Sequence, residues 1–169
     1  MRKLFFAFAL LLAGSGVVWA DGIPQVVDPR NNAQSPWTVT VFNDSGATIA
    51  SGEIVVWDTG DADVTTSGRP YVTQSATDSD PATAGVMLNT CPDQSACDIV
   101  VLGITEVRCM DASDAVTSGD LVSNSDVDSG LCGDHTAGAD NRAIGIALEA
   151  GDGNDYSYIT VFVYPADGQ

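Results

Sequence analysis

Several loops of this 169-residue chain gather hard oxygen ligands at short spacing. Asp58, Asp61 and Asp63 form one group, and Asp78 and Asp80 another. Asn124, Asp126 and Asp128 alternate along a third, and Asp152, Asn154 and Asp155 crowd a fourth. Calcium takes about six to eight oxygens at 2.3–2.6 Å, and alternating Asp and Asn in a short loop can supply them. The 124–130 loop comes nearest to a known design, with ligand types at the first, third and fifth positions. It departs from the EF-hand pattern in having Gly130 seventh instead of sixth and His135 in place of the twelfth-position glutamate. Against a site stands the ordinary use of aspartate in solvated turns. The sequence demands no cofactor, and Ca2+ is its candidate.

Cys91, Cys97, Cys109 and Cys132 are the next reactive set. An even count in an exported chain reads as two disulfides, with three connectivities open. Cys91–Cys97 and Cys109–Cys132 are favoured because both close local loops. A zinc site on Cys132 and His135 is the sharper alternative, but it lacks a Cys-x-x-Cys partner and a second histidine.

Catalytic groups are scarce. His135 is the only histidine, so a Ser-His-Asp triad would have to be built around it. Its surroundings, Gly133 to Gly138, read as a loop. No Gly-x-Ser-x-Gly elbow, phosphate-cradling loop or dinucleotide fingerprint is present in the mature chain. Carboxylate pairs are so abundant that they carry no signal for glycoside hydrolysis. The expectation is a protein that is not an enzyme.

Where the chain works is written at its start. Arg2 and Lys3 precede an apolar run, Leu4 to Ala13, and Val18 and Ala20 stand at −3 and −1 of a cleavage site. Residues 1–20 therefore read as a secretory signal peptide, and the mature protein as secreted or cell-surface. Its run is too short to cross about 30 Å of hydrocarbon, so no membrane insertion is expected. Loss of Arg2 and Lys3 takes the formal charge from −17 to −19 and removes the only lysine. Such a surface repels nucleic acid and anionic lipid and favours cations.

Residues 21–36, with prolines at 24, 29 and 36, read as an extended N-terminal arm. Ile23, Val26 and Val27 are its apolar anchors for a neighbouring sheet. Residues 37–169 form the folded domain. Trp37 to Phe42 alternates in a strand pattern, and further strands are expected at 53–57, 71–74, 84–88, 98–108, from 121, at 143–148 and at 156–164. Gly103 is a point for a bend. The last strand is apolar on both faces, which places it centrally or under cover on both sides. Met110 to Val116 is the best helical candidate, of about two turns. About eight or nine short strands read as an all-β sandwich or barrel. The aromatics Trp37, Phe42, Trp57, Tyr71, Tyr156, Tyr158, Phe162 and Tyr164 lie in these strands. Core and sheet-face packing is favoured for them over an exposed stripe that would bind glycans or a partner.

The chain also echoes itself. Ser51-Gly52-Glu53-Ile54-Val55 is matched by Ser118-Gly119-Asp120-Leu121-Val122. Each is followed by a Gly-centred strand, 84–88 and 144–148. This pattern, with a terminal Ile159-x-Val161-x-Val163 strand, resembles the small β-barrel modules that decorate and stabilise phage capsids. The resemblance runs from Ser118 to Tyr164 and more loosely from Ser51 to Leu88. It implies a compact barrel devoted to lattice or surface contact, without a catalytic site. The signal peptide and the cysteines depart from an intracellular phage product. The expected function is an exported structural subunit of a self-assembling polymer, a filament, sheath or surface layer held by strand pairing and apolar contacts. A calcium-dependent adhesion or binding module is the alternative. The expected partners are further copies of the chain, with cations or surface glycans as other possibilities.

Overall fold

The Trp37–Asn43 segment alternates β-branched and aromatic residues with threonine, and in a computed structural model of the chain it forms the first of nine strands among the described residues. The structure describes residues 35–60, 68–76, 83–110, 115–125, 127–135, 143–152 and 156–164. The signal segment and arm residues Ile23, Val26 and Val27 lie outside them. The described part is all-β: β1 Trp37–Asn43, β2 Ile54–Trp57, β3 Tyr71–Gln74, β4 Thr83–Met87, β5 Ser95–Met110, β6 Leu121–Asn124, β7 Cys132–Asp134, β8 Gly145–Ala147 and β9 Tyr156–Val163. Among the described residues no helix is long and apolar enough to cross a membrane.

One sheet closes on itself twice. The strand order is β1-β3-β2-β4-β5-β7-β6-β8-β9, and β5 pairs additionally with both β1 and β9. β1 to β5 therefore form ring one, and β5 to β9 form ring two, with β5 shared. Closure is the route by which an antiparallel sheet disposes of its edges. β5 is long enough to serve both rings because it spans 16 residues. Its first half pairs with β1, and from Gly103 onward it pairs with β9. Gly103 has φ +120°, and a Cβ there would lie 2.9 Å from Pro36 Cα. Glycine at this bend permits both the backbone angle and the close approach.

The sequence echo is a structural repeat. Each ring contains one parallel contact, β1–β3 and β5–β7, and its other pairings are antiparallel. Registers match position by position: Ile54 faces Val86 as Leu121 faces Ile146, and Val86 faces Val100 as Ile146 faces Phe162. Even the turns agree. Ser51 Oγ donates to Leu88 O at 3.0 Å, and Ser118 Oγ donates to Leu148 O at 3.1 Å. Gly52 N–H bonds Met87 O and Gly119 N–H bonds Ala147 O, both at 2.8 Å. The two glycines share a positive φ, +79° and +96°.

The repeat explains a strand that sequence reading missed. Cys132–Asp134 is the counterpart of Val72–Gln74, held against β6 as β3 is held against β2. Its three residues contain a glycine and an aspartate, so no local pattern announces it. Met110, the start of the expected helix, ends β5 instead. Residues 111–114 lie outside the described residues, and Val116 is buried without regular structure.

Two apolar clusters result. Val41, Ile49, Val55, Val72, Met87 and Ile99 fill ring one. Val107, Val122, Ile144, Ile159, Val161 and Val163 fill ring two, and Ile54, Val86 and Val100 from the outer wall of ring one join that second cluster. Ring one thus buries both faces of its β2–β4–β5 wall.

Cys91 and Cys97 stand at disulfide distance, Cα to Cα 5.8 Å, as do Cys109 and Cys132 at 4.2 Å. The second bridge ties β5 to β7 at their single paired register. Both its cysteines are buried. A cross-link over 23 residues of chain restricts the unfolded state by about 3 kcal/mol in the chain-entropy account. A Cys109→Ala/Cys132→Ala variant is expected to lose about that much in urea unfolding. An unchanged midpoint would contradict a structural role for the bridge.

Candidate functional site

The outer wall of ring two carries a row of large apolar side chains in solvent. Cross-strand register sets Ile104 of β5 beside Phe162 of β9, Phe162 beside Ile146 of β8, and Ile146 beside Leu121 of β6. These four are 54, 40, 37 and 41% exposed, and Leu148 follows at 46%. The counterparts in ring one, Ile54, Val86 and Val100, are 0% exposed, and Leu88, the counterpart of Leu148, is partly buried against their cluster. Same fold position, same apolar chemistry, opposite exposure: the wall that ring two covers in ring one is bare in ring two. Exposed apolar surface organised across four strands marks a contact surface more often than a scattered residue does.

What covers ring one is seen in detail. At the contact, Ile54 N–H bonds Gly130 O at 2.7 Å and Arg108 N–H bonds Gly52 O at 2.8 Å. Gly52 lies so close to ring two that a Cβ would sit 2.9 Å from the Tyr158 ring and 3.1 Å from Arg108 N. Glu53, 5% exposed, accepts from Arg108 Nη1 at 2.9 Å, Gln74 Nε2 at 2.9 Å and Ala50 N–H at 3.0 Å. Arg108 also lies over the Tyr156 ring, 5.1 Å from its centroid. A cleft of about 300 Å³ remains beside this pair, lined by Glu53, Arg108, Asp128, Ser129, Leu131 and Tyr156. Glu53 and Arg108 are engaged with each other, and Asp128 accepts from the Tyr156 hydroxyl. The counterpart of Glu53 is Asp120, which caps its own turn by accepting from Thr117 N–H at 2.8 Å and Thr117 Oγ1 at 2.6 Å. The Thr117 hydroxyl first, then its N–H, holds the Asp120 carboxyl below its ordinary value.

The head fibre gp8.5 N base of bacteriophage phi29 superposes with a TM-score of 0.51 at 10% identity, over 79% of this chain and 99% of that one. The chain is similar in fold to a phage head-fibre base. At this identity the likeness is one of architecture. No protein-family model matches the chain, and no curated protein matches it.

The expected barrel-type architecture therefore stands, and the likeness falls on a phage structural protein. The residues singled out for chemistry are placed as follows. Of the calcium candidates, Asp126, Asn154 and Asp155 lie outside the described residues. Asn124 ends β6 and is 5% exposed, with Oδ1 unpartnered among the described residues. Asp128 accepts from Tyr156 Oη at 3.3 Å, and Asp152 is exposed. Among the described residues no three His, Cys, Asp or Glu side chains gather where they could hold a metal. His135 donates its backbone N–H to Leu121 O at 2.9 Å, and its Nδ1 has no hydrogen-bond partner among the described residues. Cys132, half of the zinc alternative, is engaged by Cys109.

The last strand is central, as one of the two expected alternatives had it, because β9 pairs with both β5 and β8. The expectation that the aromatics pack away needs correction: burial along β9 alternates, and Tyr156, Tyr158 and Phe162 are 51, 54 and 40% exposed. Trp37 is 58% exposed. An outward face stays wet unless a second layer covers it, and among the described residues ring one reaches this face only near Tyr158. Phe42 and Tyr71, by contrast, pack edge to face with centroids 5.3 Å apart. The aliphatic members of the wall, Ile104, Leu121, Ile146 and Leu148, were not recognised as site residues from sequence. The echo held the signal: Leu121 and Ile146 repeat Ile54 and Val86, residues apolar enough to be buried.

Proposed function

We propose that this chain is a non-enzymatic structural subunit of an extracellular self-assembling polymer, exported by way of residues 1–20. The carrying observation is the row Ile104–Phe162–Ile146–Leu121, apolar and exposed on a chain of formal charge −19 after signal removal. A surface so charged resists nonspecific association, and an ordered apolar row within it is an attachment face. The fold likeness to a phage head-fibre base supports the same reading at the level of architecture. Assembly rests on apolar contact and backbone pairing, and cations reduce the repulsion between copies. Salt at physiological strength screens beyond about 8 Å.

Light scattering of the mature protein tests this. Species larger than a monomer are expected, growing as ionic strength rises from about 0.01 to 0.5 M while the Debye length shortens from about 30 Å to a few ångström. A strict monomer at every salt and calcium concentration would overturn the reading.

A further inference from the structure

Ring one has a groove where ring two receives the wall of ring one. The groove has a volume of about 200 Å³ and is lined by Thr40, Val41, Phe42, Arg69, Pro70 and Ala96. Register makes these residues the counterparts of the docking surface in ring two. Phe42 pairs with Ala96 as Arg108 pairs with Tyr158, and Pro70 precedes β3 as Gly130 precedes β7. Arg108, Tyr158 and Gly130 are the groups that receive Gly52 and Ile54 within the chain. In ring one the counterpart backbone groups bond each other, Phe42 N–H to Pro70 O at 2.9 Å, so only the side-chain seat is offered there. Ring one therefore holds a receiving surface, and ring two holds a wall with its leading turn, Ser118 to Leu121. Each of the two rings presents one half of the side-chain part of a contact that the chain already makes once between them.

We infer that copies of this chain join head to tail by repeating the side-chain part of the intramolecular ring–ring contact, the Leu121–Ile146–Phe162 wall of one copy seating on the Phe42–Pro70–Ala96 groove of the next. Three further observations fit this occupant. Gly119 has the positive φ of Gly52, but nothing lies within 4 Å of the Cβ it would carry, whereas Gly52 is pressed against Tyr158 and Arg108. Asp120 stands where Glu53 stands. Arg69 lies over Phe42, its Cζ 5.7 Å from the ring centroid, in the region where ring two offers Arg108 to Glu53. Asp120 of one copy meets Arg69 of the next, and the ion pair between the rings recurs between copies. Wall and groove are different surfaces of one chain, so the contact is heterologous and yields a closed ring or an open filament. A two-fold dimer does not satisfy it.

This inference rests on the proposed function, and complementation separates the two. Ile146→Asp spoils the wall and leaves the groove. Arg69→Glu spoils the groove and leaves the wall. Circular dichroism and urea midpoints near those of the unaltered protein establish that each folds, and Leu148→Asp serves as the wall variant if Ile146→Asp does not fold. Each variant alone is expected to associate at least tenfold more weakly than the unaltered protein. Mixed in equal amounts, they are expected to give a 1:1 heterodimer, because one intact wall and one intact groove remain. The added negative charge cannot account for loss of assembly if the mixture still pairs. Unaltered protein that stays monomeric overturns the proposed function itself. Unaltered protein that assembles, with variants that assemble equally well, form homodimers, or fail to pair when mixed, overturns only the head-to-tail contact.

Discussion

Gly85→Ala is expected to cost about 3 kcal/mol, at the upper end of the range for overpacking. A Cβ at Gly85 would lie 2.4 Å from Val100 O and 3.3 Å from Ile99 Cδ1. The obstacle is a backbone oxygen, not the tip of a flexible side chain. Val100 is paired with Val86 on one side and Thr38 on the other, so it has no direction in which to retreat. Gly145 repeats the situation in ring two, with Phe162 O at 2.5 Å and Val161 Cγ1 at 2.7 Å, and Gly145→Ala should cost a similar amount. With a urea slope of about 2 kcal/mol/M, each variant should lose about 1–2 M in midpoint. Gly46→Ala is the control. Gly46 has φ +75° and nothing within 4 Å, so only the left-handed conformation is penalised, by about 1 kcal/mol. Equal losses at Gly85 and Gly46 would show that space at the ring-closing strands is not what these glycines provide.

Arg108→Met is expected to destabilise the protein by about 3 kcal/mol, because it leaves a carboxylate buried without its cation. The Glu53 side chain is 7% exposed and that of Arg108 31%. The asymmetry matters. Arg108 can turn to water if Glu53 is removed, whereas Glu53 cannot follow if Arg108 is removed. Glu53→Gln alone should therefore cost less, about 1–2 kcal/mol for a weakened set of hydrogen bonds. The double variant should recover part of the Arg108→Met loss, since a neutral amide needs no cation. A double-mutant cycle by urea denaturation measures this, with a coupling of about 1–2 kcal/mol expected for groups in direct contact. Strict additivity would mean that the pair does not hold the two rings together.

That pair shows why the exposed wall of ring two escaped sequence reading. Glu53 and Arg108 lie far apart in the chain, and neither has a neighbour in sequence that advertises the contact. The pattern Ser-Gly-acid-apolar-Val did appear twice, and it marks the same turn in both rings. Nothing in the five residues tells whether the apolar position is covered. Ile54 is buried and Leu121 is exposed because ring two lies beside the wall of ring one and, among the described residues, nothing lies beside the wall of ring two.

The strands themselves were legible where alternation was long enough. Trp37 to Phe42, Tyr71 to Gln74 and Tyr156 to Tyr164 were placed within a residue or so by their β-branched and aromatic content. β5 was read as shorter than it is, because Ser95 to Cys97 carry no strand signal and are held there by β1. β7 was not legible at all. Three residues with one glycine have no period, and their extended form is imposed by β6 and by the bridge to Cys109.

Residue types and their order were therefore enough to decide an all-β chain with strong acidity, local cysteine loops and a repeated turn, because strand period, turn chemistry and charge are local properties. Closure was decided only in three dimensions. Whether strands make one ring or two depends on β5 changing partners at Gly103, a matter of non-local pairing. Exposure of the second wall likewise depends on what lies opposite it, and no local property of Leu121, Ile146 or Phe162 contains that information.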